Sequence, residues 1–458
     1  MFYSIHIEAS FLKQTLLSQK SLNRSVLNRR DLNQRGLNQR GLGQTLWTKS
    51  VWKESIWKKN LLIISLTSIL MACGGSGSDS SESGSSNTEV PSTPSTPATP
   101  TTPEQPDTSD DVCQQSSSEV NWTALMSKDC PNLSDYGLFT DPSLPTHSPT
   151  TPGINYQLST ELFSNYASKY RFIFLPDNQS MVFNPQQVFT LPVGSVLAKT
   201  FALPFDTQLS GANNEKLIET RLMIRREAGW TALTYQWQQE NASLIIAGAD
   251  VTHTLNNQGD SITFDYHIPS KVECKICHQI NENDISRINP IGVKAHLLNR
   301  EITLSNGNKT NQLTFWADEN MLSLLPDLNT VDKSHTLENN QASLTNRAKG
   351  YLDINCAHCH NKQGFASISG LRLSYFIDHT SFEYGICKQP PGWDGGPNGL
   401  SYDIVPGNAE RSILHYRQIL SSPKDKMPPI GREIIHTEGT ELVKQWIDSM
   451  SPSIGVCE

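Results

Sequence analysis

Two copies of one five-residue pattern constrain this chain more than any other feature. Cys274-Lys275-Ile276-Cys277-His278 and Cys356-Ala357-His358-Cys359-His360 both read Cys-x-x-Cys-His, with their first cysteines 82 residues apart. On a helical turn, residues i and i+3 share a face, so two thiols at that spacing reach one flat group from the same side. The following histidine then presents its imidazole to a metal at the centre of that group. This is the spacing of c-type haem attachment, and histidine is a common proximal ligand of haem iron. Any fold adopted by this chain must therefore offer two short helical turns. Cys274, Cys277, Cys356 and Cys359 are the expected thioether residues, His278 and His360 the expected iron ligands, and two covalent haem c groups the expected cofactors.

Two other uses of such cysteines fit less well. A thioredoxin-like pair belongs in a βαβ setting, which the surrounding pattern lacks. A zinc site needs four thiolate or imidazole donors, yet each half already ends in a histidine at haem spacing. For the sixth iron position of the second haem, Lys426-Met427-Pro428-Pro429 supplies a thioether in a loop stiffened by proline. This stretch resembles the Met-Pro-Pro loop of class I cytochromes c, which implies Met427 as the distal ligand; His415 and His436 are rivals. Met321 is the candidate at the first haem, with His296 and His335 as alternatives and an ordinary core methionine equally consistent.

The chain divides by composition. Residues 1–72 carry 11 of the 37 Lys+Arg against 3 of the 45 Asp+Glu, so the remainder is strongly acidic although the whole is only −8. An acidic body disfavours nucleic acid as a partner. Leu61–Ala72 is a 12-residue apolar run behind Lys58 and Lys59. A transmembrane helix needs about 20 apolar residues, so the run reads as the core of a signal peptide. Leu70-Met71-Ala72-Cys73 resembles a bacterial lipobox, which implies lipidation at Cys73, anchorage to a membrane, and an exported lipoprotein, outer-membrane-anchored and facing the periplasm or the cell surface. Residues 73–112 form a Ser/Thr/Pro-rich stalk too poor in apolar groups to fold.

From 113 to 270 a short preamble is followed by period-2 alternation, as in Tyr170-Phe172-Phe174, Leu233-Tyr235-Trp237 and Ile262-Phe264-Tyr266-Ile268. Alternation broken by turn residues predicts an antiparallel β-sandwich or jelly roll. Helical periodicity takes over afterwards, notably at 345–355, 410–420 and 438–450. The expected architecture is thus multidomain: an all-β sandwich, then mainly α haem modules at 271–345 and 346–458, the second similar to class I cytochrome c. Leu442, Val443, Trp446 and Ile447 share one face of a terminal helix, which the class I cytochrome resemblance implies packs near Leu352 and Ile354. The remaining Cys113, Cys130, Cys387 and Cys457 suggest disulfides 113–130 and 387–457 in an oxidising compartment.

Taken together, residues 130–458 resemble a family of exported dihaem c-type cytochromes. The resemblance rests on Tyr136-Gly137-Leu138-Phe139, Leu191-Pro192-Val193-Gly194, Glu219-Thr220-Arg221-Leu222, Tyr351 to His360, Asp403-Ile404-Val405-Pro406-Gly407 and Met427-Pro428. It implies covalent haem, electron transfer and redox partner proteins, and names no substrate. The alternative is a peroxidase-like oxidoreductase with one open iron. A third possibility, partner docking through Trp230, Tyr235 and Trp237, competes with a plain core role for aromatics alternating on strands. No G-x-S-x-G elbow or phosphate-cradling loop is present.

Overall fold

The computed structural model describes residues 111–114 and 118–458. The expected leader, the lipidation site Cys73 and the stalk up to 110 lie outside the described residues. Strands β1 (Ile154–Asn155), β2 (Ser168–Phe174), β3 (Met181–Val182), β4 (Val196–Pro204), β5 (Glu215–Arg226), β6 (Gly229–Gln238) and β7 (Asn241–Ile245) follow one another along the chain. All but β3 form a six-stranded antiparallel sheet in the order β1-β2-β4-β5-β6-β7. A hairpin of β8 (Ala249–Asn257) and β9 (Asp260–Ile268) pairs only with itself and packs Tyr266 and Ile268 against Phe201 and Leu203.

Both faces of the sheet are buried. Phe172, Phe174, Val196, Leu222, Leu233 and Tyr235 point into a core closed by the preamble residues Leu125, Tyr136 and Leu138. Ile173, Leu197 and Met223 point the other way, into a core completed by Leu297, Trp316, Met321 and Ile354. The alternation along β2 and β6 is real, but what covers each face is irregular chain and short helix rather than a second sheet. Tyr235 and Trp237 are core residues, and the Trp237 indole donates to Thr220 Oγ1 at 2.9 Å.

The expectation of a sandwich followed by mainly helical haem modules is therefore corrected. Among the described residues there are seven α-helices, all short: α1 (Trp122–Ser127), α2 (Cys274–His278), α3 (Ala295–Leu298), α4 (Gln312–Asp318), α5 (Leu344–Leu352), α6 (Ile413–Gln418) and α7 (Thr437–Asp448). Strand outweighs helix, and no mainly α module like class I cytochrome c is evident. Small strand pairs interrupt the helical stretch: β10 (Gln279–Glu282) with β11 (Ile285–Ile288), β12 (Glu301–Thr303) with β13 (Lys309–Asn311), and β14 (Leu322–Ser323), which pairs in parallel with β3. The physical reason lies in length. The apolar periodicity read as helix covers only Leu344–Leu352, Ile413–Gln418 and Thr437–Asp448, and the first and last of these pack on each other with irregular chain around them. None of these helices is long and apolar enough to cross a membrane.

The terminal helix packs against Leu352, one of the two neighbours that the class I cytochrome resemblance implied. Leu442, Val443, Trp446 and Ile447 of α7 share a core with Tyr351 and Leu352 of α5. Ile354 turns away into the core beneath the sheet. Two disulfides are formed, Cys113–Cys130 and Cys387–Cys457, and the latter ties the chain end to the strand bridge at Ile386–Ile404.

Candidate haem-binding site

The first motif is positioned by a capping box. Ser270 N–H and Oγ–H donate to Glu273 at 2.8 and 2.7 Å, and Glu273 N–H donates back to Ser270 Oγ at 3.3 Å. That reciprocal pair starts a helix directly after β9, and α2 is its single turn. The second motif is positioned differently. α5, capped by Ser343, widens into a π-helical turn at Asp353–Ala357 that carries Cys356. Asn361 closes the turn by donating to the carbonyls of Ala357 and His358. Gly364 completes it, since a Cβ there would lie 2.4 Å from the Cys359 carbonyl oxygen.

Asp353 anchors this turn to the rest of the protein. Its buried carboxylate accepts from Lys294 Nζ at 2.9 Å, His296 Nε2 at 3.2 Å and Tyr375 N–H at 3.0 Å. Its desolvation is outweighed by Lys294 and His296, which hold its pKa well below the usual carboxylate range.

Both motif histidines are held in the same electronic state. His278 Nδ1–H donates to the Asn289 carbonyl at 2.9 Å, which leaves Nε2 as the free lone pair. At His360, Nδ1 lies 3.2 Å from Ser369 Oγ; that hydroxyl already donates to the Ala366 carbonyl, so its oxygen accepts from the imidazole. Neither Nε2 makes a hydrogen bond among the described residues. Burial pushes the pKa of both rings down to about 4, so both are neutral at pH 7. A neutral imidazole with its Nδ1–H engaged and Nε2 open is the form that binds a metal ion.

Two cavities lie beside the motifs, and Cys277 lines both. Cys356, Cys359 and His360 line a space of about 350 Å³, walled by Leu371, Leu373, Ile413 and Trp393 and reached by Met427. This volume lies within the usual range of cofactor sites. Gln418, in the same wall, leaves both polar side-chain atoms buried without a partner, a feature that points to an absent occupant. Cys274, Cys277 and His278 line a second space of about 140 Å³ against the sheet, where Arg171 has a buried, unpartnered Nη2. The donor set fits haem c at both motifs. The 140 Å³ space is narrower than a porphyrin, so the fit there rests on the donor residues alone.

The two motifs meet. Cys277, Cys359 and His358 bring one donor atom each to within 4.8 Å of one another, a group able to hold a metal ion. The Cys359 thiol beside it is the main reason the Cys277 thiol sits well below its ordinary pKa, while Cys359 is raised through the same contact. Burial pushes Cys274 up and Cys356 to about 12. His358 Nδ1 is buried and unpartnered.

The remaining expected ligands are distributed unevenly. Met427 lines the 350 Å³ cavity, and its loop is stitched by the buried Arg432, which donates to the carbonyls of Met427, Arg417 and Leu420. His436 stacks on Phe163 at 4.1 Å and shares a small space with Met427 and Cys356. His415 is buried beside α7, under the influence of Lys444 and Asp448. At the first motif, Met321 is buried with Trp316 and Leu322 and lines neither cavity. His296 is held by Asp353, and His335 is half-buried near Asn339. The methionine in the wall of the 140 Å³ space beside the first motif is Met223 of β5.

Sequence reasoning missed Met223, His358, Arg432 and a support behind His360. Lys388 donates to the Ser369 carbonyl at 2.5 Å and pairs with Asp403 at 3.3 Å, and burial raises Asp403 to about 6. The Asp403-to-Gly407 stretch thereby acquires a physical role. His358 was visible as the extra imidazole inside the second motif; the others had no local signal. No family model, curated protein or solved structure matches this chain.

Proposed function

We propose that this protein is a dihaem c-type cytochrome that transfers electrons. Cys274 and Cys277 hold one haem and Cys356 and Cys359 the other, each through two thioethers, with His278 and His360 as proximal ligands through Nε2. The observation that carries this reading is the shared state of the two histidines: both buried and neutral, and both tied at Nδ1 next to a cysteine pair. Bound haem supplies a one-electron iron couple; the protein's contribution is ligand identity, burial and a fixed approach. Met427 is the distal ligand of the second haem, held by Arg432. Met223, rather than Met321, is the thioether available at the first. The adjacency of Cys277 and Cys359 supports passage of an electron between the groups. Export, a lipid anchor at Cys73 and redox partner proteins complete the proposal.

Spectra of the full chain, matured in a host that attaches haem c, test it. Two low-spin haems that ignore carbon monoxide are expected of a carrier. One high-spin, carbon-monoxide-binding haem would replace it with the oxidoreductase reading. A second reading follows from the Cys277–His358–Cys359 group: the haem-free chain binds a thiophilic ion such as Zn²⁺ there. Stoichiometric zinc in protein matured with haem supply, and no haem, would favour it.

A further inference from the structure

Three cations stand in register on one face of the buried sheet. Arg171 of β2 is directly opposite Lys199 of β4, and Lys199 is directly opposite Arg221 of β5. This is the face that carries Ile173, Leu197 and Met223, and all three cations line the space of about 140 Å³ beside Cys274. Lys169, two residues before Arg171 on β2, adds a fourth positive charge to that face. Like charges placed directly across a sheet destabilise it, so the row calls for a counter-charge.

The folded chain supplies only part of it. Arg221 is locked to the buried Glu219, with Nε–Oε2 at 2.7 Å and Nη2–Oε1 at 2.5 Å. Arg171, itself buried, pairs with Glu161 at 3.1 Å through Nη1, while its Nη2 has no partner. Lys199 makes no hydrogen bond or ion pair among the described residues; its contact is the face of Phe201 at 4.6 Å. Lys169 Nζ donates to the Ala167 carbonyl at 2.7 Å, and Glu273, the carboxylate in the cavity wall, is engaged by Ser270 and His267. Four cations thus share two paired carboxylates, Glu161 and Glu219, among the described residues. Burial and the neighbouring cations drive the Lys199 ammonium well below its ordinary pKa.

We infer that Arg171 and Lys199 form a binding site for a small tetrahedral dianion of the sulfate or hydrogenphosphate class. Arg171 offers Nη2 as a donor held in a planar fork that suits oxyanions, and Lys199 offers an ammonium from the facing position of the next strand. Side chains directly opposite on neighbouring strands are close enough to reach one ion. A dianion cancels the two charges that Glu161 and Glu219 leave over, which a monoanion does not. The space of about 140 Å³ has room for an ion the size of sulfate, since a water's share of liquid volume is about 30 Å³. Its apolar wall of Leu158, Leu162, Leu197 and Ile354 excludes water and so strengthens the pairing. The site goes beyond the proposed function and does not rest on it, because Arg171 and Lys199 belong to the sheet. Cys277 and His278 also line a third, wider space of about 860 Å³ with Asn289 and His358, so the sheet-side space is not the only one open to that motif.

The test is calorimetric titration of the full, matured chain with sodium sulfate and sodium phosphate at constant ionic strength, beside Arg171→Gln and Lys199→Met. Saturable binding at one site is expected, and the tighter of the two salts identifies the ion. Perchlorate, a tetrahedral monoanion, should bind about tenfold more weakly, and each substitution should weaken the dianion about tenfold or more. Crystals of the native chain soaked in selenate read the same site by anomalous diffraction, which keeps the test decisive if neither variant accumulates. Selenate is expected within hydrogen-bond distance of Arg171 Nη2 and Lys199 Nζ. No saturable binding, equal affinity in the native chain and both variants, perchlorate as tight as sulfate, or selenate only elsewhere would each overturn the inference. Sulfate binding at this site by a chain without covalent haem would remove the proposed function and leave this inference standing.

Discussion

At His360 the chemistry depends on which nitrogen is occupied. Ser369 Oγ accepts a hydrogen bond from Nδ1–H, and Lys388 and Asp403 hold Ser369 in place. Strengthening an Nδ1–H bond makes the imidazole a better donor to oxidised iron. Ser369→Ala is therefore expected to raise the reduction potential of the second haem and leave the first alone; equal shifts at both would show that Ser369 acts only through general packing. The three methionines separate in the same way. Met427→Ala should open the second iron to carbon monoxide, Met223→Leu should alter the first haem, and Met321→Leu should change neither spectrum. A response to Met321→Leu alone would return the first distal position to the residue that sequence spacing favoured.

At the scale of elements, stability tests divide the sheet from the motif turns. Trp446 is fully buried between α7 and Tyr384, so Trp446→Ala is expected to cost about 3–5 kcal/mol in denaturant unfolding. Ser270→Ala removes one half of the capping box beside Cys274 and should cost about 1 kcal/mol; a loss below about 0.3 kcal/mol would mean that the β8–β9 hairpin alone sets that turn. These elements also show what was legible beforehand. Alternation in β2 and β6 and the apolar stripe of α7 are local patterns, and all three elements are there. Period-2 spacing states that a strand has two faces, but not what covers them. The preamble at Leu125–Leu138 and the segment at Leu297–Met321 reach the sheet through contacts more than 30 residues distant in sequence, which no window can read. Likewise, the thiols, imidazoles and Met427 were visible as motifs. Arg171, Lys199 and Met223 became site residues only when strand register placed them on one face.

For the molecule as a whole, two cross-links and one buried carboxylate set the limits of stability. In the chain-entropy account the 17-residue loop of Cys113–Cys130 contributes about 3 kcal/mol and the 70-residue loop of Cys387–Cys457 about 4 kcal/mol. Replacing Cys387 and Cys457 by alanine together should therefore lower the unfolding free energy more than replacing Cys113 and Cys130. Asp353 has a folded pKa below its unfolded value, so its contribution is complete above about pH 4 and is lost as pH falls below that. The difference in stability between the native chain and Asp353→Asn should accordingly shrink between pH 7 and pH 3; a constant difference would show that Asp353 acts by hydrogen bonding alone. All of this supports one arrangement, in which a sheet and a terminal helix hold two cysteine–histidine turns against each other beside two cavities. The most direct measurement of that arrangement's purpose is the intact mass, under denaturing conditions, of the full chain matured with haem supplied. The account predicts a polypeptide carrying two covalent haems, reduced to one by Cys274→Ala/Cys277→Ala and, separately, by Cys356→Ala/Cys359→Ala. A mass equal to the bare polypeptide would contradict it.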